Sequence, residues 1–244
     1  MKFWRMLKMV SQFKERYEDA YAIDCKTPLS CHAFWWQHGD IPEIMKKYDI
    51  SRKKEILFYG PSNFARWTRM DEDMKEYKVQ NHAFGGCTDV ELVGYAKKVL
   101  FPYEPAVIFF QTGSNDYVEQ KGTNEQKLEN CMRYKKAMFE DFHRKLPETK
   151  MVAMSGLLLP GRSKYTAMTI ELNKQLKTYA ETTDFLSYVD ADAMTYDGSG
   201  YREDLFEKDK IHLNHKGQMT WYEGYIRPAI EKVILENGME FLRR

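Results

Sequence analysis

Three side chains in the sequence could together transfer an acyl group. Ser62 follows the apolar run 55–59 and the pair Gly60-Pro61, where a strand would turn into a helix. Asp209 stands three residues before His212, just ahead of the last helical pattern. An attacking serine needs a base to take its proton, and the base needs a carboxylate that fixes its tautomer. The sequence therefore predicts Ser62 as the nucleophile, His212 as the base and Asp209 as the partner of His212.

Two further segments could stabilise the negative charge that develops during acyl transfer. The pair Gly85-Gly86 lets the backbone approach a ligand closely, and Asn115 places a side-chain amide after the apolar run 106–111. A tetrahedral intermediate needs two or three hydrogen-bond donors aimed at its oxygen. We expect the backbone N–H groups of Ser62 and Gly86 and the amide of Asn115 to form this oxyanion hole.

Each of these features is weak evidence by itself. A serine before a helix is usually a cap, a Gly-Gly pair is usually a turn, and Asp-x-x-His arises by chance. Their combination in one chain, each beside a predicted strand end or helix start, favours a catalytic site.

The elements that must position these residues alternate along the chain. Strand-helix alternation predicts a parallel sheet with helices on both faces, an open doubly wound α/β fold whose ligands bind at the carboxyl ends of the strands. The predicted strands are 55–59, 77–82, 106–111, 150–155 and 185–190. The predicted helices are 63–72, 88–99, 123–145, 163–181 and 214–237.

Four segments of the chain, which contain the candidate residues above, resemble the blocks of the SGNH or GDSL-type esterases and lipases. ILFYGPSNFARW is similar to the first block, NHAFGGCTD to the second, QTGSND to the third and DKIHLNHKG to the last. The resemblance spans about residues 56–230 and is nearest to the bacterial branch similar to platelet-activating-factor acetylhydrolase subunits. It implies a flavodoxin-like, three-layer α/β/α sandwich with a five-stranded parallel sheet. It also implies hydrolysis of an ester or thioester without a metal or cofactor.

The sequence departs from the pattern of this family at three positions. Pro61 replaces the usual aspartate of Gly-Asp-Ser, Ala83 replaces a frequent glycine, and His82 replaces a frequent arginine. Pro61 removes one backbone N–H and stiffens the approach to Ser62. We expect His82 to be a surface difference only.

Composition excludes several classes of protein. The chain has 244 residues, is 43% apolar and carries a formal net charge of +1. These values argue against a disordered chain and against a globally basic protein that wraps nucleic acid. No apolar run approaches the ~18 residues of a membrane-spanning helix. The four cysteines show no metal-binding spacing, which favours reduced thiols in a cytoplasmic protein.

Residues 55–244 are expected to form the hydrolase domain, and residues 1–54 a helical or irregular extension that packs on it. The favoured function is a serine esterase that cleaves a small acyl ester through an acyl-enzyme at Ser62. An acetyl ester of a carbohydrate or a short-chain lipid is the kind of substrate expected. Two alternatives stay open: a catalytically weakened binding protein with the same fold, and an acyltransferase that uses the same triad. No nucleic-acid partner is expected, and homo-oligomer formation is left open.

Overall fold

A five-stranded parallel sheet forms the centre of the computed structural model, which describes residues 39–111 and 114–244. The strand order is β2-β1-β3-β4-β5, so the chain starts inside the sheet, adds β2 on one side, and then builds outward on the other. The predicted strands and the α/β class are confirmed. The strands are β1 (Ile56–Tyr59), β2 (Val79–Asn81), β3 (Val107–Gln111), β4 (Lys150–Met154) and β5 (Leu186–Val189).

β1 and β3, two of the three interior strands, are apolar because helices cover both of their faces. Every residue of β1 and β3 is buried. Alternate side chains enter separate cores, with Leu57 and Tyr59 in one and Ile56 and Phe58 in the other. Parallel strands covered on both sides are expected to lack polar alternation, as these strands do.

Helices surround the sheet on both sides and give the predicted three layers. The last predicted helix is helical over almost its whole length but includes a π-helical turn, Tyr222–Ile226. Short 3₁₀ segments are Phe101–Tyr103, Pro160–Tyr165, Glu203–Leu205 and Glu240–Leu242. The α-helices are α1 (Ile41–Lys47), α2 (Ser62–Ala65), α3 (Met70–Asp73), α4 (Asp89–Val99), α5 (Asn115–Glu119), α6 (Asn124–Lys145), α7 (Thr166–Glu181), α8 (Asp192–Thr195), α9 (His215–Trp221) and α10 (Arg227–Asn237).

The segment after β1 differs from the prediction, because the expected helix 63–72 is divided into α2 and α3. The side-chain amide of Asn81 donates to the carbonyl oxygen of Phe64 at 2.7 Å, just before α2 ends. A polar side chain from β2 thus takes a carbonyl group that a continuous helix would use for its own hydrogen bonding.

The described part of the predicted N-terminal extension contributes to the core. Ile41, Ile44 and Tyr48 are buried in the same cluster as Leu57 and Tyr59. Residues 1–38 lie outside the described residues, so the boundary between extension and domain stays a prediction. Within the described ranges, none of the helices combines the length and apolar character needed to cross a membrane.

Candidate active site

Ser62 is the first residue of α2, directly beyond the carboxyl end of β1. The turn depends on Gly60, since a Cβ atom there would lie 2.7 Å from the carbonyl oxygen of Gln111 at the end of β3. Pro61 occupies the N-cap position, and its carbonyl oxygen accepts the N–H groups of Phe64 and Ala65, each at 3.1 Å. The missing N–H of Pro61 therefore precedes the helix and breaks none of its hydrogen bonds.

The three predicted triad residues form one continuous chain of hydrogen bonds. Nε2 of His212 lies 2.8 Å from Oγ of Ser62, and Nδ1 lies 2.6 Å from Oδ2 of Asp209. An ionised carboxylate can only accept, so Nδ1 carries the proton and Nε2 accepts from the serine hydroxyl. This tautomer is the one in which a histidine can take a proton from an attacking serine.

A tight turn holds the carboxylate of Asp209 against His212. Its Oδ1 accepts the backbone N–H groups of Ile211 and His212 at 2.9 and 3.0 Å. Lys210, within this turn, has a left-handed φ of 57°. Burial raises the pKa of Asp209, but hydrogen bonds from the backbone and ring of His212 and from Ile211 outweigh it. The pKa of Asp209 therefore lies well below its ordinary value.

Asn63 joins the segment of Ser62 to the segment of His212. Its Oδ1 accepts the backbone N–H of Leu213 at 3.0 Å, and its Nδ2 donates to the carbonyl oxygen of Ile211 at 3.5 Å. The side chain is buried and bonds to the residues on either side of His212. Sequence reasoning missed this role, because an amide at the start of a helix predicts only a local cap.

The two segments predicted to supply oxyanion donors also meet. Gly86 has a left-handed φ of 75°, and Nδ2 of Asn115 donates to the carbonyl oxygen of the following residue, Cys87, at 3.0 Å. The N–H of Phe84 donates to the carbonyl oxygen of Gly60 at 3.1 Å. The loop that carries Gly86 is therefore bonded both to the turn before Ser62 and to Asn115.

A buried ionic cluster lies beside Asn115, at the start of α4. Nζ of Lys135 is 2.7 Å from Oδ2 of Asp89, and Oδ1 of Asp116 accepts the N–H of Asp89 at 2.8 Å. All three side chains are at most 2% exposed. Burial is the main influence on Asp89 and raises its pKa, and the ammonium of Lys135 opposes the rise. The cluster connects α4 to Asp116, the residue after Asn115. No local sequence pattern predicts this cluster.

Burial or hydrogen bonding accounts for three further side chains, those of His82, Cys87 and His215. The prediction that His82 is a surface residue is wrong: it is fully buried, and its Nδ1 lies 2.5 Å from the carbonyl oxygen of Val99. Burial is the largest influence on His82 and lowers its pKa to about 4. Cys87 is buried, which raises the pKa of its thiol. His215 lies 3.3 Å from the carboxylate of Asp73.

Across residues 39–111 and 114–244, no group of three His, Cys, Asp or Glu side chains could hold a metal ion.

Comparison with known proteins assigns the chain to a family. Residues 53–219, more than half of the chain, match the sequence model of the GDSL-like lipase/acylhydrolase family. No curated protein matches the chain significantly.

Solved structures with the same fold share little sequence with this chain. A GDSL-like lipase from Bacteroides thetaiotaomicron has a TM-score of 0.62 and 18% identity, covering 84% of this chain and 100% of its own. A Streptococcus pneumoniae protein, described as a candidate platelet activating factor, has a TM-score of 0.63 and 17% identity, covering 81% and 97%. A catalytic mutant of an acetylxylan esterase from Geobacillus stearothermophilus has a TM-score of 0.54 and 16% identity, covering 70% and 91%.

Proposed function

Because the chain belongs to the GDSL-like lipase/acylhydrolase family, whose members are ester-cleaving hydrolases, we propose that it is a serine esterase acting through an acyl-enzyme at Ser62. The observation that carries the proposal is the continuous chain from Ser62 Oγ through the His212 ring to Asp209, with distances of 2.8 and 2.6 Å. The hydroxyl proton of Ser62 is positioned for transfer to Nε2 of His212, while Nδ1 keeps its own proton in the hydrogen bond to Asp209.

In the acylation step, Oγ of Ser62 attacks the ester carbonyl carbon while Nε2 of His212 takes the hydroxyl proton. The imidazolium that forms is stabilised by the carboxylate of Asp209, which its hydrogen bonds keep ionised. His212 then gives its proton to the leaving alkoxide, which departs as an alcohol. The product of this half-reaction is an ester between the acyl group and Ser62.

The carbonyl oxygen becomes negatively charged in the tetrahedral intermediate and needs donors held in place beforehand. The proposed donors are the N–H groups of Ser62 and Gly86 and the side-chain amide of Asn115. The hydrogen bonds that connect their loops support this role, because fixed donors need no reorganisation as charge develops.

Deacylation repeats the same steps with water as the nucleophile. His212 takes a proton from the water, which attacks the acyl-Ser62 carbonyl carbon, and then returns the proton to Oγ of Ser62. The products are a carboxylic acid and the free enzyme.

The proposed substrate is a small acyl ester, with an acetyl ester of a carbohydrate or a short-chain lipid as the first candidates. The acetylxylan esterase among the structures of similar fold supports the carbohydrate candidate. Substrate choice depends on loops around the site, and the fold alone does not determine it.

The case for a catalytically weakened protein depends on Pro61. Pro61 lacks an N–H that the usual residue would offer near Ser62. However, Oγ of Ser62 still bonds to His212 at 2.8 Å, which favours an active hydrolase.

A panel of chromogenic esters from acetyl to dodecanoyl tests the proposal and measures the acyl pocket. We expect turnover of the shortest esters and its loss in Ser62→Ala. Ser51→Ala is a matched control, since Ser51 is an exposed serine in the turn before β1, at the opposite end of that strand from Ser62. Product analysis with added alcohols separates hydrolysis from acyl transfer. Ester turnover that survives Ser62→Ala would contradict the assignment.

A further inference from the structure

Arg162 reaches the site from a segment that the predicted machinery does not include. It lies in the 3₁₀ segment Pro160–Tyr165 after β4. One guanidinium nitrogen, Nη1, donates to Oδ1 of Asn115 at 2.9 Å and to Oγ of Ser114. A half-buried cation thus contacts the side chain that is proposed to bind the oxyanion.

The backbone that carries Arg162 is itself fixed to the turn that holds Asp209. The N–H of Gly161 donates to the carbonyl oxygen of Lys210 at 2.8 Å. A Cβ on Gly161 would lie 2.8 Å from the carbonyl oxygen of Asp209, so the two segments approach as closely as glycine allows. Arg162 therefore spans from the turn of Asp209 to the start of α5.

The contacts of Asn115 admit only one orientation of its amide. Oδ1 faces the guanidinium of Arg162, and Nδ2 faces the carbonyl oxygen of Cys87. A flipped amide would set NH₂ against a donor and oxygen against an acceptor, which makes both contacts repulsive. Because the NH₂ group has two hydrogens and Cys87 takes one, the fixed orientation keeps the second as a donor.

The charge of Arg162 strengthens that donor. A guanidinium stays protonated at all relevant pH values, and a cation bonded to an amide oxygen withdraws electron density from the amide nitrogen. The positive charge also favours a developing oxyanion nearby more than it favours a neutral ester carbonyl.

We propose that Arg162 is a positioning residue for ester cleavage: it fixes and polarises the side-chain amide of Asn115 as an oxyanion donor. The proposal depends on the esterase function proposed above. Arg162 strengthens a hydrogen bond that forms in the transition state. Its loss therefore lowers kcat more than it raises KM.

The test compares Arg162→Met and Arg162→Lys with wild type, using Arg69→Met as a control in which an exposed arginine paired with Glu72 is lost. With an acetyl ester, we expect Arg162→Met to lower kcat about 10- to 100-fold and to change KM less than about threefold. Arg162→Lys keeps the charge but not the planar fork, so its kcat should fall between the two. Near-ultraviolet circular dichroism checks that both variants fold.

A double-mutant cycle with Asn115→Ala separates positioning from a general structural effect. In the Asn115→Ala background, Arg162→Met should lower kcat by less than about threefold. Effects that multiply independently, an unchanged kcat, or a change in KM alone would overturn the role of Arg162. A wild-type protein that cleaves no ester would instead overturn the esterase function, and this inference with it.

Discussion

The backbone N–H of Leu213 donates to the side chain of Asn63 at 3.0 Å, across 150 positions of sequence. The residue after Ser62 thereby holds the residue after His212. The proposed nucleophile and base are connected by this buried amide as well as by their own hydrogen bond of 2.8 Å. The hydrogen bond between Asn63 and Leu213 therefore helps to hold Ser62 and His212 together, and it stays unchanged while the proton moves from Ser62 to His212.

Asn63→Ala should lower kcat and stability together. Removal of the amide leaves the buried N–H of Leu213 without its acceptor, which costs about 1–3 kcal/mol. Loosening of the segment that holds His212 should lower kcat at least about 10-fold, since small displacements of a base are costly. Ester kinetics and urea unfolding measure the two effects.

Asn237→Ala is the matched control for this variant. Asn237 also donates its amide to a backbone oxygen, that of Val233, but within the exposed end of α10. We expect its kcat to equal that of wild type. An unchanged kcat in Asn63→Ala would show that Asn63 does not position His212.

The stability provided by Asp209 should depend on pH. Its pKa is lower in the folded than in the unfolded protein, so its contribution is complete above the unfolded pKa and is lost as the pH falls through the folded one. The stability difference between wild type and Asp209→Asn should be constant above about pH 5 and shrink below about pH 4. Urea unfolding across this range measures it. A difference that grows on acidification would contradict the low pKa.

Cys87→Ala should keep the activity of the protein. The thiol is buried and its pKa is raised, so it supplies little thiolate for attack on an ester. The bond to Asn115 uses the backbone oxygen of Cys87, which the substitution retains. We expect kcat within about threefold of wild type. A loss as large as that of Ser62→Ala would point to a role for the thiol.

Gly60→Ala should destabilise the protein. The added methyl would meet the backbone oxygen of Gln111 at 2.7 Å, and overpacking of this kind costs about 1–3 kcal/mol. Gly224→Ala is the control, because an added Cβ there meets no atom within 4 Å apart from its chain neighbours and the backbone of its own helix. Its melting temperature should equal or exceed that of wild type. Equal melting temperatures for all three proteins would contradict the close contact at Gly60.

The sequence predicts the sheet well because strands covered on both faces are short apolar runs. It also brings Ser62 and Asn115 to one edge of the sheet, since polar residues at the carboxyl ends of parallel strands share an edge. His212, which precedes the last helix, is added to this site by its spacing from Asp209 and by the resemblance to the family. The contacts of Asn63 and Arg162 are not predictable in this way. Each joins a polar side chain to a segment distant in sequence, and such contacts leave no periodic pattern.

His82 shows the same limit from the opposite direction. A histidine in a loop between a strand and a helix is usually exposed. Here the rings of Tyr48 and Tyr103 pack against the His82 ring, with centroid distances of 4.9 and 4.4 Å. Tyr48 comes from the segment before β1, and Tyr103 from the segment after α4. The burial of His82 therefore depends on tertiary packing that its own neighbours in sequence do not encode.

Covalent labelling of the nucleophile tests the central claim most directly. A fluorophosphonate probe reacts with an activated serine, and peptide mapping by mass spectrometry locates the adduct. We predict one adduct on Ser62 in the wild-type protein, much slower labelling in His212→Ala, and none in Ser62→Ala. An adduct on another residue, or an unlabelled Ser62 in a protein that still cleaves esters, would contradict the assignment of Ser62 as the nucleophile.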